Sequence, residues 1–321
     1  MDRAGAPGGG VRHDMKAIVC TAYGPPEVLE VRELDKPVPK HDQVLVRIHA
    51  TAVTSSDCIV RAFNLHGPMS VVARLVLGVT RPRKAVLGMV LAGEIEAAGK
   101  DVSAFKEGDQ VFGFDRFAFG AYAAYKSMTA RGLLALKPSN LTYDEAAAIP
   151  YGGLLALYFL RKGRINERRR VLVYGASGSV GTSAVQLAKH FGAEVTGVCS
   201  SSNVEIVRSL GADAVIDYKK DDFTRGDERY DLVFVAVGNR MHPPSEADCK
   251  KALTPGGAYV SVDRGSPRIS TEDLVLLTQL AEAGALKPVI DRIYPLEQMA
   301  EAHRYVDQGH KKGNVVITVG R

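Results

Sequence analysis

Arg170–Lys189 reads RVLVYGASGSVGTSAVQLAK, and this stretch decides the fold. Arg170–Tyr174 is an apolar run of strand length, rich in β-branched residues. It passes straight into Gly175, Ala176, Ser177, Gly178, Ser179, Val180 and Gly181. A helix with apolar Val185, Leu187 and Ala188 follows, predicted over Gly181–Phe191. Small residues permit a tight turn and let backbone N–H groups come close to a pyrophosphate. The helix N-terminus then turns its partial positive charge toward the same anion. Gly181 lets the helix pack against the strand. A tight strand-to-helix turn without a ligand would need the same glycines. The flanking strand, helix and later βα units favour a dinucleotide site, with all seven loop residues as contacts.

Downstream the pattern repeats. Strands are predicted at Glu194–Cys199, Ala214–Asp217, Leu232–Val237 and Ala258–Val262, with helices at Asn203–Leu210 and Ala247–Leu253. The second helix is expected to end at Thr254-Pro255-Gly256-Gly257. Such alternation gives an α/β domain with a doubly wound parallel sheet of Rossmann type. An acid at the end of its second strand would hold a ribose diol and select NAD. Here that place holds Ser200, Ser201 and Ser202 before Asn203. Hydroxyls can donate to a 2′-phosphate, which favours NADP(H). The same serines also suit a helix cap.

Upstream, residues 15–135 read as strands and turns. Gln43–Ala50 alternates with period two, and glycines punctuate Val86–Tyr125, as in a small β-barrel. After Pro138 the period changes, with Thr142 placed to start a helix. Two helices, Thr271–Ala283 and Leu296–Gln308, and a strand, Asn314–Val319, follow the parallel sheet.

Composition narrows the function. The 321 residues carry a formal charge of +5, and Arg161–Arg170 (RKGRINERRR) supplies that whole excess. The remaining charges balance at 35 of each sign, so no general nucleic-acid surface is implied. The four cysteines, Cys20, Cys58, Cys199 and Cys249, are scattered, which fits neither a structural zinc site nor a disulfide framework. A reducing, cytoplasmic setting is expected. The apolar, uncharged stretch Ala146–Leu160 is 15 residues and contains Pro150, Gly152 and Gly153. A membrane span needs about 20 apolar residues. Residues 1–14 are Gly-rich without an apolar run and are expected to be a disordered leader.

From Met15 onward the chain resembles the zinc-free medium-chain dehydrogenase/reductases of the quinone-oxidoreductase type. The marks are MKAIVCTAYGPPEVLEV, LGMVLAGEIEAAGKDVSAFKEGDQVFGF, GASGSVGTSAVQLAKHFGAEV, LGADAVIDY, LTPGGAYV and GHKKGNVVITV. The resemblance implies a GroES-like β-barrel domain at 15–137 and 266–321, with the Rossmann domain at 138–265. It also implies a homodimer. Zinc-dependent relatives carry a ligand Cys where this chain has Thr54, and Gly-His-Glu where it has Gly88-Met89-Val90. Thr, Met and Val do not replace thiolate, imidazole and carboxylate as zinc ligands, so no metal is expected. Tyr218 matches a tyrosine packed at the adenosine 2′-phosphate. Asn314 stands where relatives often carry Lys near the same region. Leu155 and Ser179 replace a Thr and a Gly common near the nicotinamide.

The reaction implied is hydride transfer from NADPH to a small-molecule quinone or α,β-unsaturated carbonyl. Thr54 is a candidate donor to the carbonyl oxygen, with Asp57 to orient it, although Asp57 also suits a helix cap. Tyr122 and Tyr151 are possible pocket aromatics. Two other readings stand beside this one: an NADP(H)-binding redox sensor or interaction protein, and an NADP-dependent alcohol or aldehyde reductase. A nucleic-acid patch at 161–170 is the weakest reading, because basic residues suit a solvated helix end. Neither nucleic acid nor membrane is an expected partner.

Overall fold

The structure is a computed structural model that describes residues 14–63, 74–116 and 118–320. The expected leader therefore lies almost wholly outside the described residues. In the first part of the chain the strands are β1 (Asp14–Cys20), β2 (Leu29–Asp35), β3 (Gln43–Val53), β4 (Val90–Ala98), β5 (Gln110–Phe114), β6 (Tyr125–Thr129) and β7 (Leu134–Leu136). In the middle are β8 (Arg170–Tyr174), β9 (Glu194–Cys199), β10 (Ala214–Asp217), β11 (Tyr230–Val235) and β12 (Leu253–Ser261); β13 (Ile290–Pro295) and β14 (Asn314–Thr318) follow.

Among the described residues these strands form three sheets. β8–β12 make a parallel sheet in the order β10-β9-β8-β11-β12. The order reverses at β8, and ligands of such sheets bind outside the strand ends at that point. A seven-stranded sheet runs β13-β14-β3-β4-β5-β7, with β6 paired to β3. The end of the chain thus returns to the first sheet: β14 lies antiparallel to β3, Val315 opposite Val53. β1 and β2 form a separate hairpin.

Helix Pro150–Lys162 lies between the two larger sheets. Its Pro at the first turn and Arg161 and Lys162 in its last fit the rules for helix ends. Arg161 also pairs with Asp273. The basic run is therefore a helix end followed by a loop into β8.

Two expectations need correction. Thr254–Gly257 does not end a helix. The helix stops at Lys251, and β12 runs through TPGG. β12 is an edge strand, where Pro255 loses no ladder bond, and its pairing slips between Tyr230 and Leu232. The glycine-loop helix starts at Ser179, two residues early, with Gly178 as its N-cap. β13 was not expected at all. It is a half-exposed strand on the edge of the sheet, so its sequence lacks a clean apolar period.

Candidate functional site

The glycine loop stands at the C-terminal end of β8, where the strand order reverses. No side chain caps helix Ser179–His190, which leaves its first N–H groups for an external anion. A Cβ on Gly178 would meet nothing closer than the Gly175 carbonyl oxygen at 3.5 Å. That space is open where a pyrophosphate would approach. A Cβ on Gly181 would lie 2.1 Å from the same oxygen, so close packing of helix on strand demands glycine there. The loop fits a dinucleotide.

Neighbouring segments hold the loop in shape. Asn203 donates to Ser177 Oγ at 3.0 Å and to Ser200 Oγ at 3.2 Å. Ser202 Oγ lies 3.4 Å from Ser200 Oγ. Ser201 bonds the Asp217 carboxylate, and this bond is the largest influence keeping that group acidic. A carboxylate therefore does stand beside the serine loop. Lys219 and Lys220 follow Tyr218 in sequence, and Lys220 reaches Asp217 at 3.8 Å. Tyr218 is half exposed, with its ring 6.3 Å from that of Tyr174.

The end of the chain closes the loop from the other side. Gly313 donates to Ser177 O at 2.8 Å and bridges Gly178. Ser179 donates to Asn314 Oδ1 at 2.6 Å, and Asn314 Nδ2 donates to Val289 O at 3.1 Å. Lys311 Nζ donates to Gly313 O at 2.5 Å and has no ion pair among the described residues. Burial pushes its pKa down to about 8.

Helix Ser55–Ala62 forms the facing wall. Its N-cap, Thr54, accepts from the Asp57 N–H at 3.1 Å. Asp57 Oδ2 accepts the Thr54 N–H at 3.0 Å and the Thr54 hydroxyl at 2.6 Å. Such a capping box is worth about 1 kcal/mol. Both side chains are buried. The helix begins at Ser55, and its cap is Thr54 rather than Asp57, which is the reciprocal partner at the third helical position. Two hydroxyls in the first turn contact Tyr151: Ser55 Oγ and Ser56 Oγ each lie 3.0 Å from its oxygen. Tyr151 follows Pro150 on the helix between the sheets. The next residue, Gly152, touches the glycine loop so closely that a Cβ would lie 2.3 Å from Ser179 O. The three hydroxyls therefore stand beside the dinucleotide cradle.

Comparison with known proteins agrees with this architecture. Residues 40–139 match the model of the alcohol dehydrogenase GroES-like domain, and 179–285 and 266–317 match models described as zinc-binding dehydrogenase. A 2-methylene-furan-3-one reductase of Solanum lycopersicum is 34% identical over 325 residues, covering 95% of this chain and 79% of that protein. The chain belongs to the medium-chain dehydrogenase/reductase family. Within it the likeness is to the quinone-oxidoreductase type. A chloroplastic NADPH-dependent alkenal/one oxidoreductase of Arabidopsis thaliana is 32% identical over the same shares of both chains. The solved quinone oxidoreductase of Coxiella burnetii superposes with a TM-score of 0.80 at 25% identity, covering 96% of this chain and all of that one.

In this medium-chain reductase, a buried polar chain that sequence reasoning missed lies behind the wall. His303 Nε2 lies 3.2 Å from the Tyr122 oxygen and His303 Nδ1 3.4 Å from Cys58 Sγ. Asp57 Oδ1 makes no hydrogen bond among the described residues. Burial pushes Asp57 up to about 6, with Thr54 and Tyr122 pulling the other way. Burial, aided by the Arg61 charge, pushes His303 down to about 3.

These opposite shifts cancel in part. The folded chain keeps the Asp57 proton up to pH 6 or so while the unfolded chain loses it near 3.8. Asp57 therefore withdraws roughly 3 kcal/mol as pH rises across that window. The unfolded chain protonates His303 near 6.5, and the folded chain refuses that proton until about 3. Its contribution is thus lost as pH falls through that window. Between pH 4 and 6, approximately, the slopes oppose. His303→Gln should expose the Asp57 slope alone: stability should drop by about 3 kcal/mol more than in the wild type between those pH values. Urea unfolding at each pH measures this, and parallel curves for the two proteins would refute it.

Proposed function

We propose that the protein transfers hydride from NADPH to a conjugated carbonyl, an enone or a quinone, without zinc. The observation that carries this is the placement of three hydroxyls, on Ser55, Ser56 and Tyr151, against an uncapped glycine-loop helix. The names of the tomato and Arabidopsis relatives support the substrate class. Zinc independence rests on the donor set, since Thr54, Met89 and Val90 occupy the places of zinc ligands.

When bound, the dinucleotide supplies the hydride. Gly175–Gly181 would hold its pyrophosphate. Ser200, Ser201, Ser202 and Tyr218 would hold its adenosine end, and Lys219 and Lys220 would offset Asp217. Asn314 keeps Ser179 in register, and Thr54 and Asp57 hold the facing helix rather than touch substrate. No helix among the described residues is long and apolar enough to cross a membrane. We place the barrel domain at 15–137 with 266–321 and the cofactor domain at 138–265, in a cytoplasmic homodimer. The outer edge of β12 supplies a surface for pairing.

Lys311 supplies the positive charge that the loop itself lacks. Lys311→Met should raise the NADPH dissociation constant about ten-fold, the scale of one charge-assisted contact. Wild-type affinity should also fall as pH rises through 8 or so, where the ammonium is lost. A variant that binds NADPH as tightly as the wild type, at every pH, removes Lys311 from the site.

NADPH oxidation with a panel of enones, quinones and aldehydes tests the function. Turnover is expected with the first two. Tight NADPH binding without turnover on any acceptor would refute catalysis and favour a cofactor-binding role.

A further inference from the structure

Tyr151 reaches from the first turn of one helix to two hydroxyls in the first turn of another. Three hydroxyl groups carry three protons, and the two contacts of 3.0 Å engage two of them. One O–H is left to point elsewhere. Ser55 is exposed, while Ser56 and Tyr151 are half-buried, so the trio reaches solvent rather than lying wholly in the core. Leu155, one turn along the same helix, is half-buried too, and the Phe114 ring meets the Tyr151 ring edge-on at 6.1 Å. The surroundings are thus apolar on the ring side and polar at the oxygen. Burial raises the Tyr151 pKa above its ordinary value, so the phenol keeps its proton at neutral pH. Thr54 cannot play this part, since its hydroxyl is spent on Asp57.

Resting on the reductase reading above, we infer that Tyr151 donates its hydroxyl to the substrate carbonyl oxygen, with Ser55 and Ser56 linking it to solvent. Hydride arrival forms a C–H bond at the β-carbon. The C=C electron pair shifts toward the carbonyl, and its oxygen becomes an enolate. The Tyr151 O–H bonds that oxygen, where the developing charge is greatest, and its proton passes across to give the enol. The enol then tautomerises to the saturated carbonyl. The phenolate regains a proton from water through Ser56 or Ser55. With a quinone the same transfer gives the hydroquinone. Electrons and protons balance: one hydride and one proton are added, and the dinucleotide leaves oxidised.

Tyr151→Phe keeps the ring and removes the donor. Steady-state turnover of an enone and NADPH titration on the full chain are the measurements. We expect kcat to fall about 100-fold, the usual loss for one oxyanion donor. KM for the enone and the NADPH dissociation constant should stay within about two-fold. An unchanged kcat overturns the inference. So does a loss that follows weaker NADPH binding alone, because a merely structural contact would act that way. The Ser55→Ala/Ser56→Ala variant keeps the phenol and checks the relay, even if Tyr151→Phe folds poorly. Its kcat should fall about ten-fold with a larger solvent deuterium isotope effect. An unaltered rate and isotope effect overturn the relay. Wild-type inactivity on every enone and quinone would sink the reductase reading itself. Wild-type turnover with an indifferent Tyr151→Phe sinks this inference alone.

Discussion

Gly181→Ala should weaken NADPH binding by at least about 100-fold and lower stability by about 1–3 kcal/mol. The added methyl would sit 2.1 Å from Gly175 O and 2.7 Å from Ala176 Cα. Both are backbone atoms at the turn, so relief requires moving the loop itself. Gly178→Ala makes the informative contrast. Its φ is −81°, which alanine adopts freely, and its nearest neighbour would be 3.5 Å away. The fold should therefore keep its melting temperature. The methyl nonetheless enters the space left for the pyrophosphate, and affinity should fall about ten-fold. Calorimetric titration and thermal unfolding separate the two effects. If both variants bind NADPH as the wild type does, the loop is a turn without a ligand.

Asp307→Ala should cost about 3–5 kcal/mol of stability. Arg61 is 2% exposed, and its Nη2 lies 2.6 Å from Asp307 Oδ2. Its Nε and Nη1 have no hydrogen-bond partner among the described residues. Removing the carboxylate strands a guanidinium out of water. Arg240, 3.8 Å from the other carboxylate oxygen, loses a neighbour too but is solvated. The double variant Arg61→Met/Asp307→Leu deletes both charges and fills their volume, and should recover most of the loss. Urea unfolding of the three proteins decides. A single variant as stable as the double would mean that the pair carries no buried charge cost. The pair ties helix Met299–Asp307 to the helix that carries Ser55 and Ser56, so the cleft wall should loosen with it.

The fold and the glycine loop were readable because their causes are local. A strand, a tight turn and a helix start follow one another within twenty residues, and each needs particular residue types there. The pairing of Thr54 with Asp57 is local as well, since the cap that joins them spans three residues. The cleft hydroxyls were not legible as a group. Tyr151 lies 95 and 96 positions from Ser56 and Ser55, and only the packing of Gly152 on Ser179 brings them to the loop. His303 meets Tyr122 across 181 positions, with no local pattern to announce it. Asp217 was hidden from the serine loop in the same way, because parallel pairing of β10 with β9 sets its end beside theirs.

The order of synthesis gives the contact between Ser179 and Asn314 a further meaning. The loop is made early, and its partner emerges 135 residues later. A nascent chain that has folded the parallel sheet still lacks the bonds from Gly313 and Asn314 that fasten the cradle. The last fastening of the cradle therefore arrives with the final strand.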